Sequence, residues 1–278
     1  MATIGNLQVR NTGEIISPSL RLCAMMWAKA KYGKTKWAAG LDKVTKRWYN
    51  KKTLFIAVEA ADGGGTSSIA DNGVDYVEPS TFGEFQAIVS SLQSDTTYGG
   101  VVVDNASDLV KRLVQPEALK IAFPSAPDTR RKGVPEQRDY QTMGEMLRTE
   151  LNKLVNLTKR DVNENIRKHL IVTALEYERT TRGNPPQTIS IGPALPGQMA
   201  DTASAMFQTM LTIEVEAKVD PQTKTRKYER LVVAEADGVK ILGDRLSIFP
   251  ARGPFDLEEV WEKYWIPRVE GKTKVEVV

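Results

Sequence analysis

The six residues Leu22 to Trp27, "LCAMMW", form a wholly apolar run, and "AKAKYGKT" follows at once. So short a run with no polar face is suited to burial on both sides, the situation of a strand inside a parallel sheet. Gly33-Lys34-Thr35 then supplies the end of a phosphate-binding loop, G-x-x-x-x-G-K-[ST], with Ala28 standing where its first glycine is expected. Lys34 to about Tyr49 reads as a helix. A buried strand, a cation-rich loop and a helix in direct succession restrict the fold to an α/β sheet whose ligands bind at the C-terminal ends of its strands.

In such a loop the backbone N–H groups point inward to a triphosphate, and the following helix adds the positive end of its dipole. The expected wall is Ala28, Lys29, Ala30, Lys31, Tyr32 and Gly33, continuing through Lys34, Thr35 and Lys36. Lys34 reaches the β- and γ-phosphates, and the Thr35 hydroxyl binds Mg²⁺. Gly33 is required where backbone passes close to phosphate. At Ala28 a methyl group costs little if φ is ordinary and strains the loop if φ is positive.

The pattern continues down the chain. "TLFIAV" (Thr53 to Val58) is a second buried strand, ended by the acidic, glycine-rich "EAADGGG", and "VDYVEP" is a short third. Thr81 and Glu84 open a helix with a capping box, and "GGVVVDN" is the next strand. Gln115 to Asp139 is polar and proline-containing and reads as a long loop. An amphipathic helix from about Tyr140 to Leu157 leads to the strand "HLIVTAL". Thr180 to Gly197 is a second long loop, "TMLTIEVEAKV" and "RKYERLVVAEA" form an antiparallel hairpin over about 208–236, and "FDLEEVWEKYW" is a last helix. Alternating strands and helices imply right-handed crossovers and a mostly parallel sheet. The expected division is an N-terminal segment (1–20), a nucleotide-binding domain (21–250) and a C-terminal helix and tail (251–278).

Composition narrows the function. With 38 basic and 35 acidic side chains, charge alone does not indicate nucleic-acid affinity. One cysteine, Cys23, precludes an intramolecular disulfide, and one histidine, His169, precludes a thiol/imidazole zinc cluster. A reducing cytoplasm is the expected location, because neither a secretion signal nor a membrane-spanning run is present. Cys23 and His169 are expected to be structural, and Trp261 and Trp265, one helical turn apart, to dock the last helix.

A magnesium-triphosphate site also needs a carboxylate on a neighbouring strand to hold the metal's water shell, and Asp104 at the end of "GGVVVDN" fits. Hydrolysis needs a group that orients the attacking water; Glu59 fits, with Asp62 as its rival.

"MMWAKAKYGKT", "LFIAVEAADGG", "VDYVEPSTFGEFQAIVSSL", "GGVVVDNASDL", "HLIVTAL", "IGPALPG" and "VKILGDR" resemble, in that order, the phage-encoded RecA-like P-loop ATPases of single-strand annealing and recombination. The likeness covers roughly residues 22–250. It implies a RecA-like core with a C-terminal hairpin extension, ATP and Mg²⁺ as ligands, self-association into rings or filaments, and work on single-stranded DNA, with a single-strand-binding protein as a further partner. It also implies that Glu59 activates water and that Lys240 or Arg245 reaches a neighbouring subunit's γ-phosphate. The chain departs from the pattern at Ala28, and at Leu175 and Glu176, where a polar sensor often follows the Thr-Ala pair. DNA contacts are expected from Arg130, Arg131 and Lys132 in one long loop and from Arg179 and Arg182 beside the other. Two other functions use the same sequence: a non-hydrolysing, nucleotide-switched annealing protein, and a hexameric helicase-like motor.

Overall fold

The computed structural model describes residues 3–4, 7–8, 19–59, 65–121, 135–183, 185–219 and 225–270. After a short antiparallel pair, Thr3–Ile4 (β1) with Leu7–Gln8 (β2), come β3 (Cys23–Ala28), α1 (Lys34–Tyr49), β4 (Lys52–Ala57), a 3-10 segment (Gly65–Asn72), β5 (Asp75–Val77), α2 (Phe82–Leu92) and β6 (Tyr98–Asp104). A continuous helical stretch follows: α3 (Ala106–Leu109), a π turn (Val110–Val114) and α4 (Gln115–Ala118). Next are α5 (Gln137–Asn156), β7 (His169–Thr180), β8 (Thr188–Pro193), α6 (Met199–Met206), β9 (Thr209–Val219), β10 (Arg226–Val233), β11 (Gly243–Asp244) and β12 (Arg252–Pro254). The described chain ends with α7 (Leu257–Val260), a π turn (Trp261–Trp265) and α8 (Ile266–Glu270).

The large sheet runs β12-β10-β9-β3-β7-β6-β4-β5. From β9 to β5 every pairing is parallel; β10 and β12 extend it antiparallel beyond β9. This is a mostly parallel sheet flanked by helices, with an antiparallel C-terminal extension. All six residues of β3 are buried, as the apolar run requires. Because side chains alternate across a strand, Cys23, Met25 and Trp27 enter the cluster beneath α2 and α5, while Ala24, Met26 and Ala28 enter the cluster beneath α1 and α7.

Helix starts follow their caps. Thr81 accepts from the Glu84 N–H at 3.1 Å, but Glu84 returns its bond to the Ser80 N–H, one residue earlier than the expected reciprocal partner. α5 begins at Gln137 rather than Tyr140, because Glu136 and Asp139 form a capping box.

Two expected long loops are corrected. Thr180–Gly197 is not a loop throughout: β7 runs on to Thr180, past its buried half, and β8 pairs back on it. The alternation there is obscured because most residues of this arm are exposed or only partly covered. The stretch Gln115–Asp139 begins as α4 and ends in α5, and residues 122–134 lie outside the described residues.

The last helix docks as the tryptophan spacing requires. Trp261 and Trp265 are fully buried and stacked at 4.5 Å. Beneath them His169 packs edge-on against Trp261 at 5.1 Å and accepts from the Leu22 N–H through Nδ1 at 3.0 Å. Burial holds this imidazole's pKa well below the ordinary value, so it packs as a neutral ring. Cys23 is likewise core, its thiol pushed up to about 11 by burial. Trp265→Ala is expected to lower the unfolding free energy by about 3–5 kcal/mol, read as a fall in the denaturant midpoint.

Candidate active site

Ala28 is the last paired residue of β3, opposite Leu175, and its methyl group is buried in the core cluster. Its φ is not positive; in the loop the positive values belong to Lys31 (67°) and Gly33 (101°). A glycine at position 28 is therefore unnecessary. The strain sits instead at Lys31, where a left-handed conformation costs a side-chain-bearing residue about 1–2 kcal/mol. Left-handed residues at 31 and 33 curl the chain into a concavity of the kind that holds anions.

Lys34 is 6% exposed and folds back across the loop, donating to the carbonyls of Ala28 and Lys29 at 3.0 Å each. Burial lowers its pKa, opposed by the carboxylates of Asp104, Glu59, Glu176 and Asp108. The next side chain, Thr35, donates from Oγ1 to Asp104 Oδ2 at 2.7 Å. The other oxygen, Asp104 Oδ1, accepts from the Thr173 hydroxyl on β7.

This arrangement corrects one expectation. Asp104 is not on a strand neighbouring β3, because β7 lies between β3 and β6. Thr173 fills the intervening position and makes the third member of the contact.

Glu59 lies just past β4, where the Val58 N–H donates to the Asp104 carbonyl at 2.7 Å. Both its carboxylate oxygens are held: Oε1 accepts from Asn105 Nδ2 at 3.0 Å and Oε2 from the Gly65 N–H. Asn105 also caps α3 and bonds Asp108 Oδ2 at 2.7 Å. A Cβ at Gly65 would stand 2.3 Å from Thr35 Oγ1 and 2.9 Å from Asp104 Oδ2, so only glycine allows this approach. Asp62, the rival to Glu59, lies outside the described residues.

The donor chemistry suits Mg²⁺. Thr35 and Asp104 offer hard oxygens, and no cluster of three or more His, Cys, Asp or Glu able to hold a metal occurs among the described residues. Few protein oxygens is the pattern of an ion that completes its shell with phosphate and water.

The remaining predicted positions are apart from this cup. Lys240 pairs with Glu214 at 2.5 Å and Asp237 at 3.3 Å, and Arg245 donates to the Ser204 and Ala205 carbonyls. Arg179 pairs with Asp201 at 2.9 Å, Arg182 is exposed, and Arg130, Arg131 and Lys132 lie outside the described residues. Arg179 and Arg148 line a cleft of about 820 Å³ between α5 and the start of α6.

Sequence reading missed Asn105, Thr173 and Gly65, and it named Glu176 only as a departure from the family pattern. "NASD" carries an Asn-x-x-Asp cap signal, and Thr173 is a lone hydroxyl in an apolar strand. Glu176 meets Lys29 of the loop at 3.8 Å. Gly65 has no local signal, since its constraint arises through space.

A family profile described as the AAA domain matches residues 21–236, more than three-quarters of the chain. The chain belongs to the AAA domain family. It is an AAA-type P-loop ATPase domain, and the matched span includes the loop, Glu59, Asp104 and Thr173. Among solved structures it is similar to a KaiC-like protein from the hyperthermophilic archaeon Pyrococcus horikoshii OT3, at 10% identity and a TM-score of 0.39, with 77% of each chain covered. No curated protein gives a significant match. No helix among the described residues is long and apolar enough to cross a membrane.

Burial raises the Asp104 pKa to about 6, with the Glu59 charge adding and the two hydroxyls and Lys34 opposing. A raised folded pKa means that stability is full below the unfolded value of 3.8 and is lost as pH rises through about 6. Ionising this carboxylate costs up to about 3 kcal/mol. Nucleotide-free Asp104→Asn is thus expected to melt above the unsubstituted protein at pH 8, with the difference vanishing near pH 4 in thermal scans.

Proposed function

We propose that this AAA domain binds Mg-ATP and hydrolyses it, and that it does so as a self-associating protein on single-stranded DNA. The observation that carries the hydrolytic reading is the position of Glu59. Its carboxylate is held by Asn105, the residue after Asp104, beside the Thr35–Asp104 pair. A base and the candidate metal ligands thus share one edge of the sheet.

Lys34 exchanges its two carbonyl partners for phosphate oxygens. Thr35 and Asp104 would hold Mg²⁺ and its waters, with Thr173 keeping Asp104 oriented. When bound, the ion would supply positive charge to offset that developing on the phosphate oxygens. Glu59 takes a proton from the attacking water as oxygen bonds to the γ-phosphorus and the bond to the bridging oxygen breaks, its electron pair leaving with ADP.

The DNA reading rests on the sequence resemblance; the cleft lined by Arg148 and Arg179 also carries Glu145 and Asp201, so Arg179 would have to leave Asp201 to meet a phosphate. Such cations neutralise phosphates without reading sequence. In a ring or filament, Lys240 or Arg245 serves a neighbouring subunit only by giving up its present partners, Glu214 and Asp237 or the Ser204 and Ala205 carbonyls. A role in phage annealing, recombination or replication, in the host cytoplasm and alongside a single-strand-binding protein, follows from the sequence resemblance.

Steady-state ATPase assays with and without single-stranded DNA test the assignment. Lys34→Ala is expected to abolish turnover. Glu59→Gln is expected to cut kcat by about 10²–10⁴-fold while nucleotide affinity stays within a few-fold. Unchanged turnover in Lys34→Ala removes the assignment, and DNA annealing that survives Glu59→Gln intact favours the non-hydrolysing switch.

A further inference from the structure

The outer wall of the phosphate cup contains two side chains to which the hydrolytic mechanism gives no task. A Cβ built at Gly33 would stand 2.8 Å from Phe255 Cζ and 3.6 Å from Arg230 Cδ, so both side chains stand beside the loop at the face a glycine leaves open. Phe255 lies between β12 and α7 and is half-buried, with one side against the core cluster beneath α1. Arg230 is exposed on β10, its guanidinium carbon 5.7 Å from the centre of the Phe255 ring.

Arg230 has no ion pair or hydrogen bond to any other described residue; the aromatic ring is its described partner. The register of the hairpin explains why. Arg230 stands opposite Val215, and cross-strand partners share a face. Glu214 and Glu216 therefore point to the other side, where they pair with Lys240 and Arg252. Asp256, the residue after Phe255, is occupied as the cap of α7. The acids near this cation are thus committed elsewhere, leaving a planar guanidinium over an aromatic ring beside the loop.

The position is set by helix packing. A Cβ built at Gly40 of α1 would meet Leu257 Cβ at 3.1 Å, and further along Arg47 pairs with Glu258 and Glu262. α7 therefore runs alongside α1 in the same direction, and Phe255 is held at the N-terminal end of α1, where a nucleotide emerges from the cup.

We propose that Phe255 and Arg230 form the platform for the planar base of the nucleotide whose phosphates the loop holds. Phosphates held in the cup need neither side chain, whereas a heteroaromatic base can stack on the outer flat face of the Arg230 guanidinium, which the Phe255 ring backs. The ligand class is a nucleoside di- or triphosphate rather than an inorganic polyphosphate. This inference rests on the proposed nucleotide site.

Calorimetric titration of the full chain with Mg-ADP and, separately, with magnesium tripolyphosphate tests it. Phe255→Ala and Arg230→Ala are each expected to weaken Mg-ADP about tenfold, the worth of one stacked base, and to leave tripolyphosphate within about twofold. Phe255→Trp is expected to keep most of the Mg-ADP affinity. Arg230 is exposed, so its variant reports even if Phe255→Ala folds poorly. Equal losses for both ligands would mean that the pair only props up the loop, and unchanged Mg-ADP binding would mean that it does not meet the base; either result overturns the proposal. If the unsubstituted protein binds neither ligand, the phosphate cup itself is wrong and the platform falls with it.

Discussion

Asp104 accepts from two threonine hydroxyls that arrive from different directions, Thr35 at the start of α1 and Thr173 in the middle of β7. The pairing fixes the first turn of α1 over β7 and β6 and so sets the distance between the phosphate cup and the carboxylate proposed to hold the metal. It is made inside the protein, with Asp104 only 2% exposed. A buried carboxylate satisfied by neutral hydroxyls is costly in its charged form, and the protein bears that cost at neutral pH. Such a cost is what a site kept for a function, rather than for stability, carries.

Much of the core was legible in the sequence because burial on both faces leaves an unmistakable composition. "LCAMMW" and "GGVVVD" are strands in the structure, and "KTKWAAGLDKVTKRWY" is α1 with the ends expected of it. The same composition hides strand order. A strand apolar on both sides carries no alternation that says which neighbour it meets, so the insertion of β7 between β3 and β6 had to come from the structure. The arm formed by β7 and β8 was hidden for the opposite reason: all of its residues but Gly192 and Pro193 are exposed or only partly covered, and a solvated hairpin composed like a loop reads as one.

The site divides along the same line. Lys34, Thr35, Asp104 and Glu59 sit at strand ends and a helix start, where local sequence names them. Asn105 was half visible, since its capping role is local while its hold on Glu59 is not. Gly65 and Phe255 answer to contacts with residues far away in the chain, and nothing adjacent to them in sequence announces it. The missing first glycine proved a matter of bookkeeping by position: residue 28 ends a strand, and the demand for a left-handed backbone moves on to Lys31 and Gly33.

β9 is one unbroken strand whose first half lies parallel to β3 in the core and whose second half leaves the body paired to β10. Arg230, on the partner strand, stands beside the loop, its Cδ 3.6 Å from where a Cβ at Gly33 would lie. The strand that flanks β3 in the core is thus also the one that registers this side chain against the phosphate cup, so a single hairpin ties the loop's outer wall to the centre of the sheet.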